Sequence, residues 1–220
     1  MKQLFFGYLL LCLFTAASAD PSGVGAFVSG PRTPDGTEVD CDLPGNLHIK
    51  NVGGSDGAGL CVFASMHHAG VWHGDAAFDA IFDWMRRHPG GGYPEKVDAM
   101  VKQLCQEKSL PTPEYLQVQG PESLDVLATA LSRGHLVCVT YGKSPTGRYG
   151  GQRIAHMVNA VAGRAGPQKL WCVLDNNYPG ADKLEWMTEA EFKSAYVVGG
   201  GGWGIILKKS PPPLVLKVQP

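Results

Sequence analysis

Apolar positions along the chain change their repeat about halfway. In the first half they recur at helical spacing. Leu60 to Trp72 forms one such run, and Phe78, Ile81, Phe82 and Met85 mark a second over Asp75–His88, with Asp75 as N-cap. Val97, Met100, Val101, Leu104 and Cys105 mark a third from Pro94 to Lys108, with Pro94 suited to a first turn. Leu124, Leu127, Ala128 and Leu131 mark a fourth from Pro121 to Arg133, closed by Gly134. The second half consists of short apolar runs between glycine and polar clusters: Leu136–Tyr141, Met157–Ala162, Leu170–Leu174 and Trp203–Leu207. Thr188 and Glu191 stand at capping-box spacing and predict a short helix through Tyr196. Helices first and mostly antiparallel strands after them predict an α+β domain.

The ends read differently. Lys2, the apolar stretch Leu4–Phe14 and the small residues Ala17-Ser18-Ala19 have the form of a secretory leader, so residues 1–19 are expected to be cleaved. The apolar stretch is too short to span a bilayer. No other segment looks transmembrane, so the mature chain is expected to be soluble, secreted or periplasmic, with no stable membrane insertion. Residues 20–40, rich in Gly, Pro, Ser and Asp, are expected to form a flexible arm. The folded domain is expected over 41–209, with a Pro-rich tail from 210 to 220.

Charge discriminates little. The chain has 19 Lys and Arg against 20 Asp and Glu, so there is no basic field for nucleic acid. Cysteines say more. Six are present, and losing Cys12 with the leader leaves Cys41, Cys61, Cys105, Cys138 and Cys172. In an oxidising compartment this odd number suggests one reactive thiol and four that either pair, in one of three ways, or stay buried as thiols.

Cys61 is the candidate for the reactive one. It follows Gly59-Leu60 where a glycine-rich loop enters a helix, and the amino terminus of a helix favours a thiolate. His156 lies on a strand, and Asp175-Asn176 ends the next. A thiol, an imidazole and an orienting amide or carboxylate, in that order, form the set a thiol hydrolase needs. Neighbouring strand residues face opposite ways, so only one of Asp175 and Asn176 can orient His156.

This constellation, with Asp175-Asn176-Asn177-Tyr178-Pro179-Gly180, resembles the papain-like cysteine peptidase superfamily, in a remote bacterial-type branch that is also similar to bacteriocin-processing and transglutaminase-like thiol enzymes. The resemblance spans about Asn46 to Leu207 in element order. It implies a cleft between the helical and sheet halves, and an exported thiol hydrolase cleaving a peptide or amide bond through a Cys61 acyl-enzyme. It further implies His156 as base, Asn176 as orienter with Tyr178 shielding it, no cofactor, and a peptide or protein substrate. Asp175 is the alternative orienter, as in transglutaminase-like relatives. The family's oxyanion glutamine, six positions before the cysteine, is replaced by Ser55, so Ser55 or Asn51 is expected to donate there with the Cys61 N–H, while Gly59 leaves room for substrate. The tryptophan that follows the family's cysteine is Val62 here, and about 40 residues between cleavage point and Cys61 leave no room for a long inhibitory prosegment. These departures keep two other readings open: a catalytically silent binding domain, and an acyl transferase or deamidase.

Other features are expected to be structural. His67, His68 and His73 have no zinc spacing, so no metal is expected and helix packing or solvation is. The glycine runs at Gly90 and Gly199 lack a phosphate-loop context. Trp84, Trp171, Trp186 and Trp203 are expected in the core or the cleft wall.

Overall fold

The computed structural model describes residues 38–41, 43–52, 59–88, 90–144, 147–164, 170–198, 202–213 and 215–217. The expected leader, most of the expected arm and Ser55 lie outside them. Among the described residues no helix is long and apolar enough to cross a membrane.

The fold is α+β, helices first and antiparallel sheet after. Three helices open it: α1 (Leu60–His73), α2 (Ala76–Met85) and α3 (Pro94–Lys108). Asp75 caps α2 as expected, accepting from the N–H groups of Ala77 and Phe78. Gly70 lets α1 and α2 approach closely. A Cβ built there would stand 2.3 Å from Asp79 N and 2.5 Å from the Phe78 carbonyl carbon, both backbone atoms that cannot swing aside. Gly70→Ala is therefore expected to cost about 2–3 kcal/mol through forced separation of the two helices. Thermal unfolding should show this as a drop of roughly 5–10 °C.

The expected fourth helix is shorter than its pattern: Pro121–Ser123 forms a 3-10 turn and α4 covers Leu124–Leu131. α5 (Glu189–Val197) starts at a complete capping box on Thr188 and Glu191.

The strands are β1 (Glu38–Asp40), β2 (Tyr115–Gln119), β3 (Val137–Thr140), β4 (Met157–Arg164), β5 (Leu170–Leu174), β6 (Glu185–Thr188), β7 (Trp203–Leu207) and β8 (Val215–Lys217). They run antiparallel in the order β2-β7-β3-β4-β5-β6. Beyond the end of β3, β4 pairs with β1, which pairs with β8. The domain limits shift accordingly. Glu38–Asp40, expected in the arm, and Val215–Lys217, expected in the tail, belong to the sheet. Three-residue strands carry too little alternation to be read from sequence.

The core lies between α1 and the central strands. Ser65 Oγ donates to Met157 O, and Asn159 on β4 donates to Ser65 O and meets His68 Nδ1. Of the tryptophans expected inside, Trp84, Trp171 and Trp203 are buried, whereas Trp186 is 41% exposed on β6, an edge strand. Cys41 donates to Gly134 O, Cys105 donates to Pro111 O, and Cys138 accepts from Asn159. These three serve as buried thiols, the second of the two sequence alternatives.

Candidate active site

Gly59 precedes α1 in the left-handed conformation, φ 60°, with no side-chain cap on the helix. Its backbone packs on Gly92: a Cβ on either glycine would come within 2.4 Å of the other's Cα. Glycine at both positions thus permits the sharp entry that sets Cys61 in the first turn. Cys61 is part-buried, and its sulfur takes hydrogen bonds from His156 and from the backbone of Met157 and Val62. The uncapped helix end delivers one of these donors straight to the sulfur.

His156 immediately precedes β4, and Asp175 immediately follows β5. The antiparallel register that pairs Asn159 with Leu174 brings those two strand ends side by side. His156 Nε2 lies 2.8 Å from Asp175 Oδ1, and the imidazole also bonds the Cys61 sulfur. Both His156 and Asp175 are buried.

The charges follow from this geometry. Burial opposes a thiolate at Cys61, but the His156 hydrogen bond and charge, with the Met157 and Val62 backbone, overcome it and lower the thiol pKa. Burial likewise opposes an imidazolium at His156, and the bonds to Asp175 and Cys61 outweigh it, raising the pKa to about 9. Asp175 follows the same logic: burial is outweighed by His156, Tyr149 and the Asn177 N–H, and its pKa is lowered. Each shift thus favours the charged form: thiolate at Cys61, imidazolium at His156 and carboxylate at Asp175.

Asn176, expected as the orienter, does not reach the imidazole. Its Nδ2 lies 2.9 Å from Met157 O, 3.0 Å from Ser65 Oγ and 3.1 Å from Cys61 O. The two neighbours do diverge, and Asp175 is the one turned to His156. The cause is local: Asp175 Oδ1 also accepts the Asn177 N–H at 2.9 Å, and Tyr178 N bonds Asp175 O, so the chain turns at once after β5. Asn176 is left facing α1, where its amide ties the Cys61 carbonyl to β4.

The other expected site residues are placed as follows. Asn51 gives its amide to Asn177 Oδ1 at 3.2 Å, and its N–H goes to Asn176 O, so it braces the loop after β5. Tyr178 does not shield Asn176. It is 40% exposed, with the Arg148 guanidinium 4.6 Å from its ring centre and the Tyr149 ring edge-on at 5.7 Å. The ring edge-on to His156, at 6.1 Å, is that of Tyr149.

Tyr149 and Arg148 were not anticipated. Tyr149 Oη donates to Asp175 Oδ2 at 2.7 Å and accepts from Asn177 Nδ2 at 2.9 Å. The signal available in sequence was an arginine–tyrosine pair framed by Gly147, Gly150 and Gly151, just upstream of the histidine. His67 meets Asp79 O at the surface of α2, while His68 and His73 are buried. Among the described residues no group of three His, Cys, Asp or Glu side chains could hold a metal ion.

No family model matches this chain, and no curated protein matches it in sequence.

Proposed function

We propose that this protein is an exported papain-like thiol hydrolase that cleaves a peptide or amide bond through an acyl-enzyme on Cys61. The observation that carries the reading is the hydrogen-bonded series Cys61–His156–Asp175, with the sulfur at an open helix end. In this reaction the thiolate attacks the substrate carbonyl carbon, and the first-turn N–H of Cys61 meets the developing oxyanion. The imidazolium gives its proton to the departing amine. Neutral His156 then takes a proton from water, whose oxygen attacks the thioester and releases the acid and the thiol. Asp175 keeps the Nε2 proton on its own side, so the other ring nitrogen works on sulfur, amine and water.

A second reading, acyl transfer to an amine or deamidation, is favoured by one observation: the orienter is a carboxylate, as in the transglutaminase-like relatives, and not the amide. A silent binding domain is disfavoured by the same charged trio, which a domain without chemistry has no need to keep ionised.

Iodoacetamide labelling separates these readings. At pH 6 an ordinary thiol is about 0.1–1% thiolate, so Cys61 is expected to label on the order of 10²-fold faster than the other cysteines. Cys61→Ala should abolish that label and His156→Ala should slow it. Hydrolysis of a peptide library should fall above pH 9, as His156 loses the proton it donates, while alkylation stays high. Labelling of Cys61 no faster than Cys105 would end the proposal. Release of ammonia from a glutamine peptide, with no chain cleavage, would select the second reading.

A further inference from the structure

Behind Asp175 lies a second buried acid that the chemistry above does not use. Glu185, on β6, accepts from Tyr141 Oη at 2.9 Å and Ser144 Oγ at 3.0 Å. One nitrogen of Arg148 reaches both acids: Nη1 is 3.3 Å from Glu185 Oε2 and 3.5 Å from Asp175 Oδ2. The Asp175 and Glu185 side chains are 0% and 3% exposed, and that of Arg148 is 15% exposed. Arg148 Nη2 donates to Lys183 O at 2.7 Å, and Tyr178 covers the guanidinium, so the cation is held from three sides.

Two carboxylates this close in a dry interior do not both ionise without a shared cation; one takes a proton. We propose that Arg148 is a positioning residue whose guanidinium, shared with the neighbouring buried acid Glu185, keeps Asp175 charged and so able to hold the His156 imidazolium against the Cys61 thiolate. The inference rests on the thiolate–imidazolium reading of the site. The charged and titratable groups that bear on Asp175 are His156 at the head of β4, Tyr149 and Arg148 on the segment between β3 and β4, Tyr141 just after β3, and Glu185 on β6. Cys61 on α1 lies beyond the imidazole. Arg148 brings a guanidinium nitrogen within ion-pair distance of both acids. Tyr149, its neighbour, holds Asp175 Oδ2 and so leaves Oδ1 for the imidazole.

The test is the pH dependence of Cys61 alkylation in the full chain, since its acid limb reads thiolate formation and needs no substrate. Arg148→Gln removes the cation that the two acids share. Its acid limb should move up by about one pH unit or more, a tenfold slower reaction at the parent's half-maximal pH. Arg148→Gln with Glu185→Gln removes the competing acid as well, and should restore the rate to within about threefold. Glu185→Gln alone keeps Arg148 on Asp175 and should also stay within about threefold, which keeps the proposal testable if the arginine variant fails to fold. A limb unmoved by Arg148→Gln, a double variant as slow as the single, or a limb raised by Glu185→Gln alone would each overturn the role of Arg148. Absence of selective labelling in the parent would instead remove the thiolate–imidazolium reading and this inference with it.

Discussion

Asp175→Ala is expected to lower hydrolysis by about 10²–10⁴ per folded molecule, beyond what its lost buried contacts cost the fold, whereas Asn176→Ala is expected to act through stability alone. The contrast comes from where the two side chains end. Asp175 meets the imidazole, and without it only Cys61 is left to hold the ring and offset its charge, so the raised His156 pKa falls and the ion pair with the thiolate weakens. Asp175→Asn should be milder, because a carbonyl oxygen can still accept from His156 Nε2, although the amide would turn its donors toward Tyr149 and Arg148. Asn176 is fully buried and spans Cys61, Ser65 and Met157. Losing it strands polar atoms in the interior at a cost of about 2–4 kcal/mol, a large share of the usual 5–15. Denaturant midpoints and kcat/KM, measured on both variants, check this. An Asn176→Ala protein of normal stability but without activity would return the orienting role to the amide.

That exchange of roles marks how far the sequence could be read. Elements with long regular patterns or explicit end signals were legible: α3 between Pro94 and Lys108, α2 behind Asp75, and α5 behind its capping box. β2 and β6 were not: β2 has no buried position to match its short Leu116–Gln119 alternation, and β6 buries Glu185 while exposing Trp186, polar inside and apolar outside. In the site, Cys61 and His156 were legible because each carries a local signal, a glycine-led helix start and a strand start. The choice between Asp175 and Asn176 depends on the turn angle after β5, which the Asp175 side chain itself sets. The letters Asp-Asn-Asn permit either outcome. Arg148, Tyr149 and Glu185 escaped notice for a different reason. They meet only after β3, β4, β5 and β6 have assembled, so no spacing along the chain announces them.

Acid should unfold this protein well before its carboxylates are titrated. Three histidines are buried and neutral. His68 accepts the Ile49 N–H on Nε2 and uses Nδ1 on Asn159, so a second proton would break the Ile49 bond. Burial holds its pKa down at about 3, against partial support from Asn159. The His73 and His135 rings lie tilted at 4.9 Å, and burial lowers them to about 3 and about 4, with the charges of His135 and Lys209 adding to the effect at His73 and that of Arg133 at His135. In the unfolded chain all three titrate near 6.5. Their contribution is therefore fully present above pH 6.5 and is lost as pH falls through the unfolded value, so that near pH 5 the unfolded chain binds close to three more protons than the folded one. The slope approaches 4 kcal/mol per pH unit, about 1.4 for each proton. The site pair shifts in opposite senses, His156 up and Cys61 down, so the proton that the folded imidazolium keeps as pH rises is offset by the one the folded thiol gives up earlier, and the pair changes stability little on the alkaline side. Urea midpoints are thus expected to be nearly flat from pH 7 to 9 and to collapse between 6 and 4.5. His73→Leu, which removes one of the three protons and fills the same volume, should move the collapse to lower pH. A parent as stable at pH 4.5 as at pH 7 would mean that these imidazoles are reached by water in the folded protein.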